Sequence, residues 1–289
     1  MRRLAIREQI PWSEEQRVFC ESIQGNDYGT PWHFHPELEF AFVRKSGGYR
    51  VIGDNVATLV AGDLFFIGGG LPHVFYHDQG AGLIDALIVQ FHSDFAGHSL
   101  FQHPDFNPVK RLFNRAVRGF QLGGVLRDQV ASQLETLPSL GPLSRIARLL
   151  EILDRLSTVK GLPPLCAPGY EAPIDARDQD RVSRVMNFIH ARIGKQISRR
   201  EAADVAALSE GAFSRFFRKC TGRTFPIYLN EIRLGRAARL LSETDLRVAT
   251  VASEAGFPNL SNFNRRFLAW KSMSPLAFRR KVVRSRDPL

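Results

Sequence analysis

The hydrophobic positions of the chain follow two different periods. Short runs rich in Val, Ile and Phe, punctuated by Gly-Gly, Gly-Asp and Gly-Gly-Gly, predict strands in the first third of the sequence. These runs lie at residues 38–43, 49–52, 64–67 and 83–91. From residue 109 onward the apolar side chains recur at helical spacing. We therefore predict a small β-barrel or sandwich that is followed by helices.

One of these helices carries a long apolar stripe. Its members are Ile146, Leu149, Leu150, Leu153 and Leu156. A stripe of this kind has to be buried against a partner surface. Two interpretations stay open: the helix packs on its own domain, or it forms a contact between two copies of the chain.

A proline-rich segment separates this region from the rest of the chain. Residues 161–173 hold four prolines and two glycines. Proline removes a backbone donor and disfavours helix in the residue before it. We predict an effector-sensing and dimerisation domain at residues 1–160, a linker at 161–180 and a second domain at 181–289.

The second domain is predicted to be helical throughout and to contain an internal repeat. With an offset of fifty residues, Ala202, Phe213, Arg215 and Phe217 recur as Ala252, Phe263, Arg265 and Phe267. Each copy predicts a short helix, a tight turn and a second helix with an inward aromatic stripe, and in the first copy Ser198 and Ser209 can cap the two helices. This is the helix-turn-helix arrangement, whose second helix enters the major groove of DNA. A long helix at 225–242, with a basic side formed by Arg233, Arg236 and Arg239, connects the copies.

Composition and charge narrow the class of protein. The chain has 44% hydrophobic and 24% charged residues, which excludes wholesale disorder. No apolar run approaches the roughly 20 residues that span a membrane, and no signal peptide follows the basic N-terminus. The three cysteines are widely spaced, so no disulfide framework or cysteine-rich zinc site is expected. We expect a cytoplasmic protein without a membrane partner.

The positive charge is confined to the second domain. Residues 1–180 hold 17 Lys and Arg against 21 Asp and Glu, a net charge of −4, whereas residues 181–289 hold 22 against 8, a net charge of +14. A basic domain joined to a mildly acidic one indicates a polyanion-binding module. Double-stranded DNA is the partner that fits both this charge and the repeated helices.

The inward aromatic stripes leave a set of side chains near the outer faces of the two second helices. Arg holds guanine bidentately and Asn holds adenine, while flanking basic residues hold phosphates. The candidate DNA-binding residues are Gly211, Ser214, Arg215 and Arg218 in the first copy, and Leu260, Ser261, Asn262, Asn264 and Arg265 in the second.

Residues 181–284 resemble the DNA-binding domain of the AraC/XylS transcription regulators. The resemblance rests on residues 202–206, 213–218, 228–241, 251–257 and 262–267, together with Thr221-Gly222 and Ser274-Pro275. It implies base contacts by Gly211, Ser214 and Arg215, and by Leu260, Ser261, Asn264 and Arg265. Gly211 departs from the bulkier residue that is common in the family. The resemblance also implies a homodimer that activates transcription through RNA polymerase.

The N-terminal domain contains an unusual group of ionisable residues. His33, His35, Glu37 and Glu39 occupy alternate positions, which on a strand would share one face. The spacing of His33, His35 and Glu39 resembles the first motif of cupin barrels. Gly62-Asp63, Gly70 and His73 resemble the second motif, with Gly68 where proline is commoner.

In metal-binding cupins the positions of His33, His35, Glu39 and His73 are the ligands, so the resemblance implies a site for a divalent ion. Imidazole and carboxylate would suit Zn, Mn, Fe or Ni. Two other interpretations stay open: a sugar-sized or other polar effector held by these residues and Glu37, or a polar cluster that only stabilises the fold. No cofactor is required.

The complete prediction is an α+β multidomain regulator with a cupin-like β-barrel, following helices and a C-terminal all-α domain with a duplicated helix-turn-helix. An effector in the barrel would change the packing of the helices at residues 107–158 and so the presentation of the DNA-binding domains. A cupin isomerase or dioxygenase with a DNA-binding tail is an alternative, as is an architectural DNA binder. We do not expect an enzyme, because no further acid–base constellation and no phosphate-binding loop is present.

Overall fold

The computed structural model describes residues 17–25, 28, 32–77, 82–170 and 176–286. The described strands are β1 (Val18–Gly25), β2 (Leu38–Lys45), β3 (Gly47–Ile52), β4 (Asn55–Val60), β5 (Leu64–Ile67), β6 (His73–His77), β7 (Ile84–Phe91) and β8 (Phe120–Leu122). The described α-helices of the N-terminal domain are α1 (His98–Gln102), α2 (Asn107–Ala116), α3 (Gly124–Thr136) and α4 (Pro142–Thr158). Those of the C-terminal domain are α5 (Ala176–Ala191), α6 (Arg199–Val205), α7 (Glu210–Thr221), α8 (Phe225–Glu243), α9 (Val248–Glu254), α10 (Leu260–Lys271) and α11 (Pro275–Arg286).

The strands form two antiparallel sheets. The larger sheet has the order β1-β7-β2-β5-β8 and the smaller one the order β4-β3-β6. The four runs predicted as strands are present as β2, β3, β5 and β7. The predicted cupin-like β-barrel is not closed in the described residues: β4 packs against helix α8 and does not pair with the larger sheet. The alternative of two facing sheets describes the N-terminal domain better.

The apolar stripe of α4 packs within its own domain. Leu149, Leu153 and Leu156 are fully buried together with side chains of α2, α3 and the larger sheet. Of the two interpretations of this stripe, the structure therefore shows the first.

A second core lies between the two sheets, and a third joins the domains. On β3 and β6 the side chains alternate between the two cores: Ile52 and Phe75 face the space between the sheets, whereas Tyr49, Val74 and Tyr76 face the C-terminal domain. Their partners there come from α5 to α8. One face of the smaller sheet is thus shared with the C-terminal domain.

The two helix-turn-helix copies are present as α6–α7 and α9–α10. Ser198 caps α6 through a capping box with Glu201, as predicted, and Ser209 caps α7. Asn259 caps α10 in the same way. In each copy the second helix buries the predicted aromatic side chains: Phe213, Phe216 and Phe217 in α7, and Phe263 and Phe267 in α10.

The sequence offset between the two copies differs between their first and their second helices. The caps Ser209 and Asn259 confirm an offset of fifty for the second helix, but α6 and α9 correspond with an offset of 49. The left-handed residue of the turn is Ala207 in the first copy and Gly256 in the second. The pairing of Ala202 with Ala252 is therefore wrong by one position, because the turn of the second copy is one residue longer.

Part of the predicted linker packs on the N-terminal domain. Leu165 N donates to Gly119 O at 2.9 Å, and the Arg118 guanidinium donates to Cys166 O. Tyr170 Oη donates to Cys220 O of α7 at 3.3 Å. Residues 171–175 lie outside the described residues, so the domain boundary stays a prediction. None of the described helices is both long and apolar enough to cross a lipid bilayer.

Candidate nucleic-acid interface and metal-binding cluster

Helix α7 presents a polar face to solvent. Of the candidate DNA-binding residues, Gly211, Arg215 and Arg218 are exposed. Ser214 is half-buried, and its hydroxyl donates to Glu210 O at 2.9 Å. Because its only proton is used within the helix, Ser214 would meet DNA as an acceptor.

Helix α10 presents the corresponding face. Leu260, Ser261, Asn264 and Arg265 are exposed. Asn262 is half-buried, and its Oδ1 accepts from Arg266 Nε at 3.0 Å, so its carbonyl is engaged within the helix.

One contact at this interface was not anticipated from the sequence. Arg199, in the first turn of α6, donates from Nε to Glu210 Oε2 at 2.8 Å. The ion pair connects the N-terminal ends of α6 and α7. It offsets the negative charge of Glu210 at the N-terminal end of α7.

Four predicted residues of the N-terminal domain come together. His33, His35, Glu39 and His73 are buried, and one ligand atom of each lies within 4.8 Å of the others. His33 and His73 are held by a bridge of two backbone hydrogen bonds, of 3.1 and 2.9 Å.

The expectation that the first three of these residues lie on one strand with Glu37 is wrong. Strand β2 begins only at Leu38, and the chain bends at Pro36 and Glu37. His35 O accepts from Gly70 N at 2.7 Å, which holds the segment away from strand pairing. Glu37 is buried but lies outside the cluster, where its carboxylate oxygens are 3.7 Å from Nδ1 of His35 and Nδ1 of His92.

The two imidazoles nearest Glu39 have the same anchoring. Nδ1 of His35 lies 3.1 Å from Glu37 O, and Nδ1 of His73 lies 2.8 Å from Leu71 O. A proton on each Nδ1 satisfies these carbonyls and directs Nε2 toward Glu39 Oε2, at 3.0 Å from His35 and 3.6 Å from His73. Histidines that bind metals are anchored in this way, with the second nitrogen donating to a carbonyl.

Glu39 is poised as an anion. Burial alone would raise its pKa, but the charge of His73 and the hydrogen bond from His35 hold the pKa well below its usual value. Gln90 Nε2 also donates to Glu39 Oε2 at 3.0 Å. Gln90 was missed in the sequence, although it is the only polar residue in the run 86–91 and pairs with Glu39 in the sheet.

The cavity beside the cluster is small. It measures about 20 Å³ and is lined by Glu21, Ile23, Tyr28, His33, Glu39, Phe75, Ile88 and Gln90. A water molecule needs roughly 10–15 Å³, whereas pockets for drug-sized ligands measure about 300 Å³ or more. As described, the cavity has the size for an ion or a water and not for a sugar.

Comparisons with known proteins define the class. Residues 202–281 match a protein-family profile described as "Helix-turn-helix domain". The HTH-type transcriptional activator RhaS of Enterobacter sp. (strain 638) is 27% identical over 266 residues, which cover 89% of this chain and 88% of that protein. The uncharacterized HTH-type transcriptional regulator YdeC of Bacillus subtilis (strain 168) is 21% identical and covers 86% of each chain. The chain is a DNA-binding transcription regulator with a helix-turn-helix domain.

Its C-terminal helix-turn-helix domain is of the AraC type, as the sequence resemblance predicted. The matched domain and the relatives are regulators, which confirms that the chain is not an enzyme. Similar solved structures include an AraC-type regulator from Chromobacterium violaceum (22% identity, 37% of this chain, 96% of that chain, TM-score 0.35). Another is ToxT of Vibrio cholerae O395 (8% identity, 92% of this chain, 100% of that chain, TM-score 0.37).

Proposed function

We propose that this AraC-family protein binds a two-box DNA site through α7 and α10, and that a divalent metal ion at the N-terminal cluster controls the binding. The observation that carries the proposal is the convergence of His33, His35, Glu39 and His73 beside a cavity of about 20 Å³. A cupin-like origin of the two-sheet domain is part of the proposal.

The chemistry of the cluster fits an ion. Two imidazole lone pairs and a carboxylate oxygen facing one another are stable only with a proton or a cation among them. The N and O ligands suit Zn, Mn, Fe or Ni. An ion there would supply positive charge and hold the four side chains in one arrangement. A sugar-sized effector, with Glu37 as a further contact, would require the cavity to widen.

Residues next to this cluster connect it to the core that the two domains share. His73 belongs to the cluster, while Val74 and Tyr76 on the same strand belong to the core shared with α5 to α8. Likewise Trp32 of the shared core precedes His33. In this proposal the coupling runs through Trp32 and strand β6. The sequence suggests the helices at residues 107–158, but their buried side chains pack on the larger sheet. An effector acts only through its different affinity for two arrangements.

The DNA end of the proposal rests on the exposed faces of α7 and α10. The connecting helix α8 has 19 residues. At about 1.5 Å each this is roughly 28 Å, close to the ~34 Å between successive major-groove faces on one side of B-DNA. Activation through RNA polymerase, homodimerisation and a cytoplasmic location remain parts of the proposal, and the word "activator" in the name of the RhaS relative supports the first.

Genomic-fragment selection with the purified protein, at fixed near-physiological salt, tests the proposal. The selection is run after chelation and again with Zn, Mn, Fe or Ni added singly. We expect a shared site with two boxes about one helical turn apart, and a change in its retention with one metal. Weak retention that is indifferent to sequence would contradict the DNA part of the proposal.

Metal content and affinity of variants test the cluster itself. His35→Ala should lose the bound ion and the metal response while it keeps DNA binding. His103→Ala removes an exposed histidine outside the cluster and serves as the control for adventitious metal. Loss of folding in His35→Ala, judged by thermal unfolding, together with an absence of metal in the unmodified protein would favour a purely structural cluster.

A further inference from the structure

A buried arginine lies where three segments of the C-terminal domain meet. Arg233 is 5% exposed and sits in the middle of α8. Its Nε donates to Ile193 O at 3.4 Å and its Nη2 to Lys195 O at 2.6 Å, just after the end of α5. Both carbonyls follow the end of α5, so the guanidinium connects α5 to α8.

The turn of the second helix-turn-helix touches the same point. Gly256 has φ of +86°, and a Cβ there would lie 2.2 Å from Ile193 O and 2.8 Å from Arg233 Nε. A Cβ on Gly194 would lie 3.0 Å from Glu254 O. Gln196 Nε2 donates to Gly256 O at 3.4 Å. Two glycines therefore permit the α5 end and the α9–α10 turn to approach closely around Arg233.

Arg233 also marks the border between two cores along α8. Its neighbour Ile232 is the last α8 residue in the core shared with the N-terminal domain and the first helix-turn-helix. Its other neighbour, Leu234, is the first in the core of the second helix-turn-helix. The arginine thus lies between the two units and belongs to neither core.

We infer that Arg233 is a positioning residue that fixes the orientation of the two recognition helices relative to each other. The inference rests on the proposed two-box binding. Two linked readers gain affinity over one only when the geometry lets both engage at once. A junction that holds α5, α8 and the α9–α10 turn restricts the chain to one spacing and one rotational phase of the boxes.

The test compares Arg233→Met with the unmodified full-length chain on the duplex recovered by genomic selection. Four probes are used: the recovered duplex, a version with five base pairs inserted between the boxes, and two versions with one box scrambled. Five base pairs rotate the second box by about half a helical turn. The unmodified chain should lose on the order of 100-fold in affinity on the inserted duplex, because only one unit then engages.

Arg233→Met should lose less than about tenfold on the same insertion, while its affinity for the scrambled probes stays within about twofold of the unmodified chain. Arg279→Met is the matched control. Arg279 also holds two carbonyls, Leu241 O at 3.2 Å and Leu246 O at 2.7 Å, but within the second unit. It should keep the full spacing preference.

Several results would overturn the inference. One is a folded Arg233→Met whose ratio of affinities for the recovered and the inserted duplex, the spacing ratio, equals that of the unmodified chain. Another is an equal loss of affinity on all four probes. If thermal unfolding shows that Arg233→Met does not fold, Arg233→Lys is used instead. Because one ammonium group reaches two carbonyls less well than a guanidinium, this variant should give an intermediate spacing ratio. An unchanged ratio in Arg233→Lys also refutes the role of Arg233. A lack of spacing preference in the unmodified chain would instead refute the two-box proposal itself.

Discussion

The two helix-turn-helix units have the same local structure, yet their surroundings differ. The first shares its core with the smaller sheet, where Tyr76 stacks on His190 of α5 at 4.3 Å and Tyr49 Oη lies 3.1 Å from His190 Nδ1. The second has a core of its own, built from α8 to α11 around Phe263 and Phe267. The first unit thus shares a core with the N-terminal domain, whereas the core of the second contains none of that domain's described residues.

The largest effects should come from truncating matched core rings. Phe213→Ala and Phe263→Ala each remove a fully buried ring and should each cost about 3–5 kcal/mol of stability. Phe263→Ala should unfold the second unit alone. Phe213→Ala should lower the unfolding temperature of the N-terminal domain as well. Calorimetry, with near-ultraviolet circular dichroism as a second probe, distinguishes these unfolding patterns. Identical patterns for the two variants would show that the two units do not differ in their coupling to the N-terminal domain.

The turns of the two helix-turn-helix units can be compared by opposite substitutions at their left-handed residues. Gly256→Ala should cost at least ~2 kcal/mol, because left-handed backbone disfavours alanine by about 1–2 kcal/mol and the new Cβ also overlaps Ile193 O. Ala207→Gly, at φ of +52°, relieves strain and should not destabilise the first unit. Urea unfolding of both variants measures the difference. A neutral Gly256→Ala would mean that the close approach around Arg233 is not rigid.

The recognition helices should contribute separately to DNA affinity. Arg265→Ala should weaken specific binding by about 1–3 kcal/mol if Arg265 contacts a base, and the loss should vanish on a duplex whose second box is scrambled. Arg215→Ala should show the converse dependence on the first box. Titrations on four duplexes at one salt concentration check this. Equal weakening on all sequences would identify phosphate contacts instead.

The smallest effect concerns Gly211. It is exposed near the start of α7, its φ is not left-handed and a Cβ would meet nothing within 4 Å. Gly211→Ala should therefore raise stability by about 0.5–1 kcal/mol. If the missing side chain lets the backbone approach DNA closely, the same variant should bind the first box more weakly. Unchanged affinity would show that the glycine is not needed for contact.

The sequence predicted the elements with local signals. Ser198, Ser209 and the aromatic spacing of α7 and α10 depend on neighbours within one or two turns, and the structure confirms them. The one-residue difference between the two turns could not be recognised, because Ala252 matches both Ala202 and Ala203 in residue type. Only the left-handed positions of Ala207 and Gly256 resolve it.

Long-range features were harder to predict. The sequence grouped His33, His35, Glu39 and His73 correctly, but it gave no sign that Tyr49 and Tyr76 would face α5, since an apolar run on a strand does not reveal which partner covers it. The sequence pattern places Arg233 on the basic side of α8 together with Arg236 and Arg239. It is buried, because the carbonyls after α5 lie within its reach only in the folded chain.

Arginines that bind backbone carbonyls within the C-terminal domain affect how strongly DNA binding would depend on salt. Arg233 and Arg279 donate to backbone carbonyls inside the domain, so the donors used there are not available to phosphates. Each phosphate that a protein neutralises releases condensed cations and adds about −0.9 to the slope of log affinity against log salt. A count of basic residues at 181–289 thus overstates this slope. Binding should tolerate swings in ionic strength better than the net charge implies.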